Sequence, residues 1–557
     1  MKAKEITVTI NEYGKQHAVA ATKGERLKAI LDRAGIVYSL PCAGAGRCGK
    51  CRIKFLKGAP IPGSFEERFL TDEETEEGIR ILCRTVVYED CEVELLESAK
   101  EHDISALTLD DEPVNSPGNP DRPSTPDRPS APDRTSNQDR IAGPDGEMTG
   151  SYGIAIDLGT TTIAAALIST TPDNPGYKVL QTASCINSQR RYGSDVISRI
   201  SAAEDATTRE ALRRTVVTDI ENLIKELATV GNITYTGRDP DLKAITITGN
   251  TTMLYLLAGN DPKSLGSYPY IAEHLEKEWM LSDIILDNIP DISLTLLPGI
   301  SAFVGADIVA GLFTLEFTDD EKFFFLDLGT NGEMAFYDGE KLRVTSAAAG
   351  PVFEAGGISC GTASIPGAID HITIDETDHH VTIHTIGDAQ PIGICGTGVM
   401  EITSELVKHH IADETGLLTD EYFDEGFPLT KDGKIRFTQQ DIRNVQLAKA
   451  AIYTGAKTLL NGDIPDKVYI SGGFGSKISP ENVEELRMFP REFDGKIVAI
   501  GNSALKGAAQ YTACVLLGWE KETDATAKLD LITESALLTE LATADGFDED
   551  YIAAMNF

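Results

Sequence analysis

The glycine-laced run PCAGAGRCGKC, from Pro41 to Cys51, with Cys83 beyond it, constrains this chain more than any other feature. Three cysteines at C-x5-C-x2-C spacing plus a fourth supply the four thiolates that a two-iron two-sulfur cluster needs. Gly44, Gly46 and Gly49 open backbone conformations closed to other residues, so the loop can wrap closely round a cluster and aim amide N–H groups at its sulfurs. Cys42, Cys48, Cys51 and Cys83 are therefore the expected metal ligands. Cys91 competes for the fourth place but reads better as strand packing. Cys185, Cys360, Cys395 and Cys514 have no C-x-x-C spacing and read as small buried apolar residues. Nine cysteines in 557 residues are too few and too uneven for a disulfide framework.

A chain of this length exceeds a single core, so several domains are expected. Lys and Arg number 50 against 87 Asp and Glu, a net charge of -37, which argues against nucleic acid and anionic membrane as partners. The opening MKAKEITVTINEYG alternates like a strand and lacks the apolar core of a secretory signal, and no apolar run reaches the roughly 18 residues of a membrane span. The expected location is the cytoplasm.

Residues 1–98 read as a small mixed α/β domain. Ile6 to Ile10 alternates as a strand, Glu25 to Ala34 carries Leu27, Ile30 and Leu31 at helical spacing, and Gly35 is placed to end that helix. Cys51 to Phe55 reads as a strand, and Arg80 to Thr85 brings back the last ligand. This order resembles the β-grasp ferredoxins of plant and adrenodoxin type, with a first spacing of five residues in place of the plant four. Between 99 and 150 the triplet Pro-Asp-Arg recurs at Pro120, Pro126 and Pro132 among small polar residues. That composition predicts a flexible linker, whose roughly 40 residues would span about 35 Å as a coil and up to about 120 Å fully extended.

From Tyr152 one device occurs twice. Gly153 to Leu158 runs as a strand into Gly159-Thr160-Thr161-Thr162 and an apolar run to Ile168; Phe323 to Leu328 runs into Gly329-Thr330-Asn331-Gly332 and Met334-Ala335-Phe336. Two copies a domain's length apart predict two similar lobes, 151–320 and 321–557, facing each other across a cleft. Hairpin tips of glycine, threonine and asparagine offer N–H groups and hydroxyls to a phosphate. The aspartates ending the first strands, Asp157 and Asp327, are the expected catalytic pair, holding magnesium through water or orienting a nucleophilic water near the terminal phosphate. A third element, Lys467 to Gly475, is a strand running into Gly472 and Gly473, a turn that can admit a flat base. The helix before it is capped by Thr438 and stopped at Asn461-Gly462. On it Lys449 is placed either toward the nucleotide or into solvent. Asn250, ending a strand beside glycine, is placed either to reach the cleft or to serve its own turn.

Phosphate turn, connecting helix, second phosphate turn and adenosine turn, in this order, resemble the superfamily of acetate and sugar kinases, heat-shock chaperones and actin. The stretches ITITGNTTMLYLL (Ile245–Leu257), SAAAGPVFEAGGISCG (Ser346–Gly361), PIGICGTGVMEITSELV (Pro391–Val407) and DIRNVQLAKAAI (Asp441–Ile452) are similar to those of the reductive activators of corrinoid-dependent proteins. The resemblance implies a two-lobed actin-like ATPase carrying a 2Fe-2S domain, with ATP and Mg2+ as further cofactors. It implies a corrinoid protein of a methyltransferase or O-demethylase system as partner, reduced from cobalt(II) to cobalt(I). A cellular reductase or ferredoxin would be the electron donor. Some members carry a middle domain associated with dimer formation, whereas here the proline-rich stretch runs almost directly into Tyr152, so a homodimer stays open. The alternatives are an activator of a radical dehydratase or aryl-CoA reductase, in which Cys360 and Cys395 would mimic the ligands of a bridging four-iron cluster, and a redox-sensing chaperone-like ATPase.

Overall fold

The computed structural model describes residues 5–12, 15–34, 36, 38, 49, 51–95, 151–171, 174–318, 320–362, 364–375, 379–472 and 480–557. The Pro-Asp-Arg segment lies outside them. In the N-terminal domain five strands lie in the order Lys15–Thr22, Glu5–Glu12, Cys91–Leu95, Arg52–Lys57, Ile79–Ile81, with the second and third parallel. Leu27, Ile30 and Leu31 of the helix Leu27–Arg33 are fully buried in this domain's core. That helix starts later than its spacing predicts, because Glu25 and Arg26 pair as a short strand with Val87 and Val86. Cys91 faces Val8 in the sheet and is buried, which pushes its thiol up to about 11, the behaviour of a packing residue.

The rest of the chain builds two six-stranded sheets with one repeated order. In the first, Asn174–Ile186, Thr162–Thr171 and Ser151–Leu158 run antiparallel, and Leu242–Gly249 and Ser293–Leu296 follow in parallel, edged by Glu278–Leu281. In the second, Leu342–Ala347, Gly332–Tyr337 and Phe323–Leu328 run antiparallel, Lys467–Ser471 and Ile497–Gly501 follow in parallel, and the sixth strand, Ala536–Leu538, lies at the opposite edge beside Leu342–Ala347. The period of two sorts each first strand into two cores. Ile154, Ile156 and Leu158 face the long helix Ala206–Val230, and Phe324, Leu326 and Leu328 face the helix Gln439–Leu460, whereas Ala155, Phe323 and Phe325 share a core between the sheets.

Two helices fill that shared core, Ala306–Phe313 after the fifth strand of one sheet and Ser503–Leu517 after the fifth of the other. They touch backbone to backbone: a Cβ on Gly507 would stand 1.9 Å from the carbonyl oxygen of Ala310. The crossing brings the C-terminal ends of both first strands together. The helix Gln439–Leu460 has the predicted limits, with the Thr438 hydroxyl accepting from Asp441 N and Asn461 in the left-handed region.

Candidate functional site

Two places gather the chemistry. In the N-terminal domain, Leu82 N donates to Cys51 O at 2.8 Å and Arg52 pairs with Ile81, so the segments bearing Cys51 and Cys83 touch. Both cysteines are buried. Gly49 has φ 64°, and a Cβ there would stand 2.6 Å from Phe69, so the chain beside Cys51 depends on glycine. Cys42, Cys48, Gly44 and Gly46 lie outside the described residues. Two buried thiols on touching segments, beside a glycine-dependent loop, fit thiolate ligation of an iron-sulfur cluster.

The second place is the cleft where the two first strands end. The Gly159 to Thr162 turn is closed by Gly159 N donating to Thr162 O at 3.0 Å and is propped from beneath. Asn187, fully buried, donates from Nδ2 to Gly159 O and from its backbone N to Thr161 O, both at 2.9 Å. Arg199, also fully buried, donates to Thr160 O at 2.6 Å and to Gly193 O at 2.9 Å, and burial lowers its guanidinium to about 9. Asn250 Nδ2 donates to Thr160 Oγ1 at 2.9 Å. The opposite turn is one residue shorter: Gly329 N donates to Asn331 O at 3.0 Å, and Asn331 Nδ2 reaches Glu333 Oε1 at 3.4 Å.

Five carboxylates border these turns. Asp157 accepts from Asn502 Nδ2 at 2.9 Å, and Asp327 accepts from Ser471 Oγ at 2.8 Å. Asp307 opens the helix Ala306–Phe313, Glu333 lies directly across the hairpin from Asp327, and Glu354 reaches in from the turn Pro351–Glu354. Burial pushes Asp157 up to about 6, with Asn502 opposing and Asp327 adding. It pushes Asp307 up to about 8, with Asp327 and Asp157 adding. Asp327, Glu333 and Glu354 are raised as well, each mainly by burial. Acids crowded this way favour a cation among them. Among the described residues no three metal-binding side chains converge on a single point.

The structure thus brings Asp157, Gly159, Thr160, Thr161 and Thr162 to face Asp327, Gly329, Thr330 and Asn331. Gly472 sits beside them, since a Cβ there would stand 2.7 Å from Leu328 O and 3.3 Å from Asp327 Oδ1; Gly473 lies outside the described residues. Gly332 does a different job from the one expected. It is buried, and a Cβ would stand 2.1 Å from Ile452, so it lets the hairpin lie against a helix. Lys449 is neither on the nucleotide nor in solvent. It is 1 % exposed, donates to Ala554 O at 3.0 Å and to Asn556 O, and holds its ammonium 5.2 Å from the Phe557 ring centre. Asn250 fills both of its roles, since its Oδ1 also caps the helix Thr251–Ala258 through Met253 N at 3.0 Å. Cys395 is fully buried with its thiol 3.3 Å from Ile369 O, while the Cys360 thiol lies 3.8 Å from Lys434 O, so each is engaged locally.

Sequence reasoning missed Asp307, Glu333 and Glu354, along with the props Asn187 and Arg199. Glu333 was within reach of it: in a tight hairpin reading Asp-Leu-Gly-Thr-Asn-Gly-Glu, the glutamate falls opposite the aspartate.

Known proteins share this architecture. A family model described as the C-terminal domain of RACo, the ASKHA domain, matches residues 321–557. A RACo middle region model matches 152–320, so a middle region follows the proline-rich stretch where none was expected, and a 2Fe-2S iron-sulfur cluster binding domain matches 10–88. The chain is 30% identical over 432 residues to the corrinoid activation enzyme RamQ of Eubacterium limosum, covering 72% of this chain and 69% of that one. It is 25% identical over 449 residues to the Co(II) methylated amine-specific corrinoid protein reductase of Methanosarcina barkeri, covering 73% and 77%. A solved structure of a reductive activator for a corrinoid, iron-sulfur protein superimposes with a TM-score of 0.64 at 25% identity, over 99% of this chain and 98% of that one. On this likeness the chain belongs to the family of corrinoid activation enzymes, which join a 2Fe-2S domain to an ASKHA ATPase domain.

Proposed function

We propose that this protein is a reductive activator of a corrinoid protein, and that ATP drives the activation. The observation that carries the reading is the convergence of the two threonine turns and their aspartates in one cleft, on a chain that also bears a 2Fe-2S domain. Cys42, Cys48, Cys51 and Cys83 would hold the cluster, which when bound supplies a one-electron carrier at a potential near -400 mV in plant-type ferredoxins. An ordinary acceptor would need no ATP. The cobalt(II) centre of a corrinoid is harder to reduce, and each 100 mV of uphill transfer costs about 2.3 kcal/mol per electron. Nucleotide-driven conformational change offers a source for that cost.

In this reading Gly159, Thr160 and Thr161 bind phosphate oxygens from the first lobe, and Gly329, Thr330 and Asn331 bind them from the second. Asp157 and Asp327 hold hydrated magnesium or orient the attacking water, with Asp307 and Glu333 adding negative charge around the ion. Gly472 and Gly473 admit the adenosine. The partner is a corrinoid protein of a methyltransferase or O-demethylase system, and a cellular reductase or ferredoxin is the donor. The test is an anaerobic assay of cobalt(I) absorbance on a candidate corrinoid protein, with and without ATP. Formation of cobalt(I) only with ATP is expected; equal yields would overturn the coupling.

A further inference from the structure

Between the two threonine turns stands a side chain that the phosphate cradle does not need. Glu354 ends a single turn of 3-10 helix, Pro351–Glu354. Its Oε2 accepts from Thr161 Oγ1 of the first lobe at 3.4 Å, and its Oε1 accepts from Thr330 Oγ1 of the second at 3.3 Å. Oε1 also lies 3.8 Å from the place of a Cβ on Gly329, so the carboxylate rests against the bare backbone of the second turn. It is an anion seated on the hydroxyls that both tips would offer to another anion. Desolvation by the cleft walls raises its pKa and Asp327 adds to the rise, although the residue keeps a face to solvent.

The backbone around it is held in uncommon conformations. Gly350 has φ 75° and ψ 172°, a region kept almost wholly for glycine, and Gly357 has φ 78°. Ala355, immediately after Glu354, takes the left-handed conformation at φ 62° although it has a side chain. The turn is also locked in place, since a Cβ on Gly396 would stand 1.9 Å from Phe353 O at the start of the helix Gly396–Lys408. Strain concentrated around a solvent-facing carboxylate marks a position kept for function.

We infer that Glu354 is a latch across the cleft, a positioning residue that ties Thr161 to Thr330 and is displaced by the terminal phosphate of ATP. The inference rests on the reading of both turns as phosphate-binding. Carboxylate and phosphate compete for the same two hydroxyl donors, and their like charges oppose sharing them. ADP lacks the competing group and leaves the latch closed, so the molecule distinguishes the two nucleotides by whether Thr161 and Thr330 stay tied.

The test is equilibrium binding by calorimetry of a non-hydrolysable ATP analogue and of ADP, both with Mg2+, to the full cluster-loaded chain and to its Glu354→Ala and Glu354→Gln variants. Unchanged cluster absorbance and thermal midpoint verify folding. The analogue should bind Glu354→Ala about tenfold more tightly than the parent, with Glu354→Gln between them and ADP shifted by less than about twofold. An unchanged analogue affinity, as for a residue acting only in the chemical step, would overturn the latch, and so would equal shifts for both nucleotides. A parent chain that binds neither nucleotide would instead overturn the reading of the turns themselves.

Discussion

In the first lobe the residue facing Asp157 across its hairpin is Ala164, whereas in the second the residue facing Asp327 is Glu333. The difference extends outward. The first turn rests on neutral and cationic props, Asn187, Asn250 and Arg199, which fix its carbonyls and hydroxyl. The second has Glu333 and Glu354 around it, and Asp307 lies near both aspartates. One strand order, used twice, is therefore loaded asymmetrically. A repeated scaffold supplies two loops at one cleft, and substitution at single register positions surrounds one with neutral and cationic side chains and the other with carboxylates.

The comparison predicts unequal losses. Asp327→Asn removes the carboxylate nearest the other acids and should lower ATP-dependent cobalt(I) formation by at least about a hundredfold. Asp157→Asn, on the neutral side and already bonded to Asn502, should cost distinctly less, and both variants should keep the cluster's visible spectrum. The anaerobic cobalt(I) assay checks both. Equal losses would mean that the two aspartates share one role and that the asymmetry of their surroundings is idle.

Much of this was legible in the sequence. The two Asp-Leu-Gly-Thr strings placed both turns, the apolar runs placed the strands behind them, and a cap and a stop placed the helix Gln439–Leu460. Hidden from it was whatever depends on tertiary crossing. Asp307 sits in GADIVAGLF, which reads as the start of an apolar helix, and only the packing of that helix on Ser503–Leu517 carries its carboxylate to the cleft. Glu354 is flanked by Gly-Pro and Ala-Gly-Gly, a turn signal that says nothing of the direction in which the turn points. Lys449 lies four residues after Val445 and three before Ile452, on the face that the structure buries, but the sequence names no partner that would let a lysine sit there. That partner is the distant C-terminal segment, which no local pattern connects to it.

The carboxylates crowded where the lobes meet should also show in stability. Asp157 titrates up to about 6 and Asp307 up to about 8 in the folded chain, against roughly 4 when unfolded. The folded state therefore holds more protons between those limits. The stabilisation is complete below about pH 4 and is lost as pH rises toward about 8. Both tryptophans, Trp279 and Trp519, lie in the two lobes, so their fluorescence during urea unfolding follows this part of the chain. Without Mg2+ the midpoint should fall from pH 6 to pH 8. Glu333→Gln removes one of the crowded charges and should flatten that fall, with a gain on the order of 1 kcal/mol at pH 8. Saturating Mg2+ should flatten the parent's curve in the same way. A slope indifferent to both changes would break the reading of the cleft as a cluster of carboxylates that raise one another's pKa.

The smallest expected effect tests the other lobe. The fourth strand of the first sheet, Leu242–Gly249, is followed by Asn250, and that of the second, Lys467–Ser471, by Gly472, so only the first lobe has a side chain at that step. Asn250 uses its two ends separately: Oδ1 caps a helix and Nδ2 steadies Thr160. Asn250→Ala loses both and should cost about 1 kcal/mol of stability together with weaker nucleotide binding. Asn250→Asp keeps the capping oxygen and loses the donor. It should restore most of the urea midpoint while leaving ATP affinity several-fold below the parent's, because an anion now faces the phosphate seat. If Asn250→Asp recovers affinity along with stability, the contact with Thr160 is incidental and the first turn owes its shape to Asn187 and Arg199 alone.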